Sequence, residues 1–171
     1  MGTLPGHDVR NEAARRSYAA KFITREVNKL INLPVLKHHQ SAGVTLALKN
    51  LSHGLVNNVS RSHSTPSLNV CGAFIPAVVA MPVIRNKTVL HLLDGIKGAY
   101  HGGPSGRRPF IWEHRTMYFA TDPVALDHVG WKEIEKQRAA VGMEPIVRAA
   151  PDRVSTFVHG QPEHIEIAGA L

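Results

Sequence analysis

The chain has 171 residues, a formal net charge of +7 and eleven histidines. This length favours a single domain with a sizeable core, and no apolar run reaches the ~18 residues that a membrane span needs. The first residues lack the hydrophobic core of a signal peptide, so we expect the chain to be cytoplasmic. The single cysteine, Cys71, excludes an internal disulfide and an all-cysteine iron–sulfur cluster within one chain.

The basic composition favours anionic partners, either a small molecule or a polymer. Nucleic acid is the less favoured polymer, because only 6% of the residues are aromatic and no nucleic-acid-binding motif occurs. No membrane partner is expected.

The first half of the chain changes from a helical to an extended pattern and back. Apolar positions at helical spacing beside lysines and arginines predict a helix over 9–28, so that residues 1–26 hold an irregular start and a basic amphipathic helix. The run "KLINLPVLK" predicts a buried strand in which Pro34 marks an end or an edge. From Ala42 the spacing is helical again, and Gly54 is a stop signal. This segment is therefore a strand, a polar turn and a helix.

The middle of the chain repeats this alternation. The run "NVCGAFIPAVVAMPVI" predicts a buried helix that Pro76 disturbs. The run "KTVLHLLDG" predicts a strand that ends at Asp94-Gly95. The following "GAYHGGPSGRRP" is too rich in glycine and proline for regular structure.

The last part begins with a strand and a helix, "TMYFATDPVALDHVGW", in which Asp122 is a suitable helix N-cap. Residues 149–171 are expected to form an irregular tail. Together these elements predict one α/β domain over residues 1–171, with a layered, mainly parallel sheet and flanking helices. The chain stops without a finishing strand, which predicts an incomplete sheet.

Polar residues follow each predicted strand. In open α/β sheets, ligands bind at the carboxyl ends of the strands. If the strands are parallel neighbours, one edge of the sheet gathers three polar ends and the glycine-rich loop that carries His101. These ends are Lys37-His38-His39, Asp94-Gly95 and Thr121-Asp122.

Our leading hypothesis is a metal-assisted enzyme, of the hydrolase class. Imidazole and carboxylate ligands suit a divalent transition metal, zinc or iron above all. Adjacent histidines on a strand point to opposite faces, so at most one of the pair would bind the metal unless the backbone turns between them. The metal would activate water, and charged groups nearby would stabilise negative charge. The metal ligands are His38, His39, Asp94 and His101, and the catalytic residues are Lys37, Lys49, Asp94 and Asp122.

Two alternatives use the same region. "HQSAG" resembles a nucleophile elbow, which would make Ser41 the nucleophile of a serine hydrolase, although Ser41 could equally cap the following helix. A non-catalytic module could instead bind an anion or a partner through lysines, arginines and the start of that helix. The expected substrate-binding residues are Asn50, His53, Arg107 and Arg108.

Three long motifs carry a family resemblance: "LPVLKHHQSAGVTLALKNLSHGLV", "LLDGIKGAYHGGP" and "YFATDPVALDHVGW". They are similar to a bacterial family known as domain of unknown function number 362, over about residues 27–171. The resemblance implies an uncharacterised protein, often iron–sulfur-associated or exported by the twin-arginine route. It also implies that this chain is a C-terminal fragment whose exposed faces and edges would favour homo-oligomers.

Overall fold

The computed structural model describes residues 16–63, 70–146 and 162–170. These residues form a mixed five-stranded sheet with flanking helices, which confirms the predicted α/β class. Helices and strands alternate because the apolar residues change between a 3.6-residue and a two-residue period.

The central strand of the sheet is β4, and the strands are β1 (Leu30–Asn32), β2 (Val35–His39), β3 (Gly43–Val44), β4 (Thr88–Ala99) and β5 (Ile111–Ala120). β1 and β2 lie end to end along one edge of β4 and pair with it in parallel. β5 pairs antiparallel with the other edge of β4, and β3 turns back against β2. Three of the five strands therefore run in one direction, as a mainly parallel sheet requires.

The helices lie mainly on one side of this sheet. They are α1 (Lys21–Arg25), α2 (Leu46–Leu55), α3 (Cys71–Val79), α4 (Pro82–Arg85), α5 (Pro123–Ala140) and α6 (Glu163–Gly169), with 3₁₀ turns at Val59–Ser62 and Arg108–Phe110. α2 and α5 pack on the strands, α3 packs on α2, and α6 packs on α3 and α5. None of the helices in the described ranges is long and apolar enough to cross a membrane.

The two faces of the sheet differ in burial. Leu36 and Leu93 point to the helices and are fully buried with Leu46 and Ile134. On the opposite face, large apolar side chains are exposed, with exposed fractions of 56% for Ile31, 64% for Leu33 and 69% for Phe119. The alternation along the strands thus gives one buried and one open face.

Two of the predicted boundaries are wrong for identifiable reasons. β4 does not end at Asp94-Gly95 but continues to Ala99, because β5 pairs with it over that whole length. The helix predicted over 9–28 appears only as α1 in the described part, since Ala20 N donates to Leu55 O and Ala19 bridges to Val56. Residues 9–15 of that prediction lie outside the described residues.

The predicted irregular tail is also corrected where the structure describes it. Residues 162–170 include the helix α6, in which His164 and Ile165 are fully buried. Packing on α3 supplies the stability that such a short helix lacks by itself. Residues 149–161 and Leu171 lie outside the described residues.

Candidate functional site

The histidine pair at the end of β2 points to opposite sides, as predicted. The ring centroid of His38 lies 5.4 Å from that of His101, whereas the centroid of His39 lies 5.5 Å from that of His63. Both side chains are buried. The pair therefore contributes to two separate groups of side chains.

On the His38 side, the loop after β4 is held against β2. Gly103 N donates to His38 Nδ1 at 3.3 Å, and Lys37 Nζ donates to Pro104 O at 3.2 Å. A side chain at position 103 would overlap the His38 carbonyl group, so only glycine fits there. On the same side, the ring of His101 packs edge-on against Phe110, and Arg138 Nη1 approaches His101 Nδ1 at 3.4 Å.

On the other side, one lysine is surrounded by imidazoles. We call this group the Lys49 cluster: its members are Lys49, His39, His53, His63 and His164. The ring centroids of His53 and His63 lie 4.8 Å apart. Burial lowers the pKa of all four histidines, and the charge of Lys49 adds a smaller effect in the same direction to each.

Lys49 is a buried cation without a partner among the residues that the structure describes. Its side chain projects from α2 and is only 6% exposed. Among the described residues, its ammonium has neither a hydrogen bond nor an ion pair. Burial, with a smaller effect of the Lys37 charge, lowers its pKa to about 8 against a weaker opposing effect of Cys71. Since a buried charge without a counter-charge is unfavourable, this site favours an anion.

The histidines of the cluster are neutral at physiological pH. Burial, reinforced by the Lys49 charge, lowers the pKa of His39 to about 2, of His53 to about 3 and of His164 to about 4. Burial also lowers the pKa of His63. Near pH 7 the only positive charge in the cluster is therefore that of Lys49.

Backbone and side-chain donors fix the tautomers of three histidines. Ser41 N donates to His39 Nδ1 at 3.1 Å, and Gly103 N donates to His38 Nδ1. An arginine can only donate, so His101 Nδ1 accepts from Arg138. In the neutral form of each ring the proton is then on Nε2, which is a donor.

The same tautomers oppose metal binding by the histidines that were predicted as ligands. A metal binds the unprotonated nitrogen of an imidazole. In His38, His39 and His101 that nitrogen is Nδ1, which already accepts a hydrogen bond. Within the ranges that the structure describes, no three His, Cys, Asp or Glu side chains are arranged to hold a metal ion.

His53 and His63 supply a different pattern of hydrogen bonds. His53 Nδ1 lies 2.9 Å from Ser52 Oγ, and His53 Nε2 lies 3.0 Å from Ser62 Oγ. A neutral ring has only one N–H, so one of the two serines must donate to it and the other must accept. His63 Nδ1 lies 2.9 Å from Val59 O, which only accepts, so His63 Nε2 is an acceptor.

His164 reaches the cluster from α6 without a hydrogen bond. It is fully buried, and neither ring nitrogen has a partner in the described part of the chain. Leaving a buried polar group unpaired costs about 1–3 kcal/mol. Within the described residues, the Lys49 cluster thus contains unmet hydrogen-bonding capacity at His164 as well as at Lys49.

The structure does not bring the other predicted site residues into this cluster. Asp94 pairs with Val35 and is exposed, about 10 Å along the strand direction from His38. Its Oδ1 accepts from Ile96 N. Asp122 follows β5, which is antiparallel, so it lies at the opposite end of the sheet. The predicted convergence of three strand ends on one edge is therefore wrong.

The remaining predicted residues have identifiable places. Asn50 Nδ2 donates to Asn32 Oδ1 at 2.7 Å, and both Arg107 and Arg108 are exposed. Ser41 lies in the turn of the β2–β3 hairpin, so the expected strand–turn–helix elbow and the alternative N-cap at Ser41 are both wrong. The N-terminal position before α2 is Thr45, and its hydroxyl makes no cap hydrogen bond.

The predicted anion site at the start of α2 is also excluded by its own contacts. Asp127 on α5 is fully buried, and its carboxylate accepts from Ala47 N at 2.7 Å and from Leu48 N at 3.0 Å. These amides are therefore not available to a ligand.

Sequence reasoning did not include His63, His164 or Asp127 in a site. His63 follows "VNNVSRS", a polar stretch that contains no site motif. His164 lies more than a hundred residues from Lys49, and no periodicity connects the two positions. The burial of Asp127 is weakly indicated by its sequence context, because it is the acidic residue within the apolar start of a helix, "PVALD".

A comparison with protein families matches residues 8–132 to a model described as Domain of unknown function (DUF362). This match covers more than two thirds of the chain and includes most of the Lys49 cluster. The chain belongs to the DUF362 family. No curated protein and no solved structure matches the chain significantly. For this DUF362 chain, the function has to be inferred from the site itself.

Proposed function

We propose that the Lys49 cluster binds a small oxyanion, a carboxylate or a phosphate. The observation that carries this proposal is the buried ammonium of Lys49, which has no counter-charge among the described residues. The anion would pair with this ammonium and accept a hydrogen bond from His39 Nε2. His63 Nε2, an acceptor, would take a hydrogen bond or a proton from a hydroxyl group of the same ligand.

The unpaired ring of His164 supports the same proposal. A neutral imidazole has one donor and one acceptor, and both are unused in His164. A ligand with hydroxyl and carboxylate or phosphate oxygens could satisfy both. The net charge of +7 also favours the approach of an anion.

The Lys49→Met variant tests the proposal through two opposite effects. In anion-free buffer at pH 7 we expect it to be more stable than the wild type by about 1–3 kcal/mol, because a buried charge is removed. Phosphate or acetate should stabilise the wild type by about 2.7 kcal/mol at a hundred times the Kd, and should not stabilise the variant. Urea denaturation with and without each anion measures both effects.

The matched control is Lys132→Met, which changes an exposed lysine on α5. It should keep the wild-type response to the anions. Binding by the wild type should also weaken above about pH 8, because Lys49 then loses its proton. If Lys49→Met responds to anions as the wild type does, the proposal is wrong.

A metal-assisted hydrolase is the second candidate function. It is supported by the number of imidazoles that lie close together at the end of β2. The Lys49 charge and the bonded Nδ1 atoms oppose it, since a divalent cation would be repelled and the ligand nitrogens are already in use. In this candidate, zinc or iron would be held by His38 with His101, or by His39 on the other side of the strand, and it would supply an activated water.

Elemental analysis of protein purified without a histidine tag distinguishes the two candidates. For an anion site we expect zinc and iron well below one equivalent. Near-stoichiometric metal in the wild type that is lost in a His38→Ala/His39→Ala double variant would support the metal enzyme instead. A Lys132→Met sample, prepared in parallel, controls for metal acquired during purification.

A further inference from the structure

A second site lies at the opposite end of the sheet from the Lys49 cluster. It is a cavity of about 520 Å³ between α2, α3 and the start of α5. This volume is in the range of small-molecule sites. Apolar side chains such as Leu48, Leu51 and Val79 form part of its wall, and its polar side chains are those of Arg85, Thr88, His91 on β4, Thr121 and Asp122.

His91 is held in one orientation and one tautomer. Asn32 Nδ2 lies 3.1 Å from Ala47 O and 3.0 Å from His91 Nδ1. The carbonyl of Ala47 requires the amide nitrogen of Asn32 on that side, and Asn50 donates to the Asn32 oxygen. His91 Nδ1 is therefore an acceptor, and the proton of the neutral ring is on Nε2.

His91 Nε2 is thus a buried donor beside the cavity. The side chain is 1% exposed, and Nε2 has no partner in the described part of the chain. Burial lowers the pKa of His91, so that the ring is neutral at pH 7. A buried donor of this kind beside a cavity selects a ligand with an acceptor at the matching position.

Asp122 restricts the charge of that ligand. Its Oδ1 accepts from Val124 N at 2.8 Å and Ala125 N at 3.1 Å, and Asp122 is one of the residues that line the cavity. Burial lowers the pKa of His91 and the Asp122 charge opposes that shift, and the exposed Arg85 also lines the cavity. A carboxylate bound at His91 would therefore be repelled by Asp122.

We propose that this cavity binds a small uncharged molecule with an apolar body and a carbonyl oxygen that accepts a hydrogen bond from His91 Nε2. Asp122 then acts as the residue that excludes carboxylates. This site is independent of the Lys49 cluster, so the failure of one proposal leaves the other in place.

Cyclohexanecarboxamide and cyclohexanecarboxylate form a matched pair of probes with the same apolar body. Titration of the full chain, followed by ¹⁵N NMR of the histidine rings, measures binding and the chemical shift of His91 Nε2. We expect saturable binding of the amide with a shift at His91 Nε2. The carboxylate should bind at least about tenfold more weakly than the amide.

Two variants separate the roles of the side chains. Asp122→Asn keeps a helix N-cap and removes the charge, so the carboxylate should bind about tenfold more tightly than it does to the wild type. His91→Phe keeps the apolar wall and should weaken binding of the amide about fivefold or more.

Three outcomes would overturn the proposal: no binding of the amide up to about 10 mM, equal binding of both probes to the wild type, or a His91 Nε2 signal that does not respond to the amide. If His91→Phe does not fold, the Nε2 signal of the wild type and the Asp122→Asn variant still decide the question.

Discussion

Two aspartates cap two helices in different ways. Asp122 caps α5 from the adjacent position in the chain, through bonds to Val124 N and Ala125 N. Asp127 caps α2 from α5, and it lies 80 residues after Ala47 in the chain. Burial raises the pKa of Asp127 well above its ordinary value, and its bonds to the amides of Leu48 and Ala47 oppose that shift. Because its bonds are fully buried, Asp127 should matter more for stability.

We expect Asp127→Ala to lower the free energy of unfolding by about 2–4 kcal/mol, since two buried amides lose their acceptor. Asp122→Ala, the matched control for an exposed cap, should cost about 1 kcal/mol. Urea denaturation of both variants measures the difference. Equal losses would mean that water replaces the Asp127 carboxylate, contrary to its burial.

These two residues also mark the limit of prediction from sequence. The Asp122 cap was predictable because the cap, the proline and the helix are neighbours in the chain. The Asp127 cap, the His91 tautomer and the approach of His164 to Lys49 each depend on contacts between distant segments. Local sequence patterns hold no information about such contacts.

At the scale of elements, periodicity predicted α2, α3, α5 and the strands β4 and β5, whereas the single strand predicted in "KLINLPVLK" is the two strands β1 and β2. The errors arose where hydrogen-bonded pairing decided the outcome. β4 continues through Gly95 and Gly98 because β5 pairs along it, although glycine weakens a strand. Gly43, with a φ of 74°, lies at the end of the hairpin turn that replaces the predicted elbow.

The direction of β5 had the largest effect on the predicted site. The sequence of strands and helices was consistent with a parallel β5, and that assumption placed Asp122 beside the histidines. The loop between β4 and β5 contains no long helix to cross the sheet, so β5 returns antiparallel. Because β5 runs antiparallel, Asp122 and the histidines of the predicted site lie at opposite ends of the sheet.

At the scale of the whole molecule, the buried histidines make stability depend on pH. His39, His53 and His164 have pKa values of about 2, 3 and 4 in the folded chain, against 6.5 when unfolded. Below pH 6.5 the unfolded chain therefore binds more protons, and stability falls as the pH falls. In anion-free buffer at pH 5.5 we expect a loss of about 1.4 kcal/mol for each of the three, or about 4 kcal/mol in all.

Urea denaturation at pH 7.5 and pH 5.5 measures this loss. In His164→Leu the loss between these pH values should be smaller by about 1.4 kcal/mol, because one buried base has been removed. A loss that is the same in the wild type and in His164→Leu would show that His164 can be protonated in the folded chain.

The long-range cap of α2 can form only after a later part of the chain has been synthesised. A ribosome adds roughly 5–20 residues per second, so Asp127 is made about 4–16 s after Ala47. During that interval the nascent α2 lacks the carboxylate that its first amides bind in the folded protein. α2 is therefore synthesised early, but its cap forms late. The core around α2 cannot form completely until α5 has been synthesised.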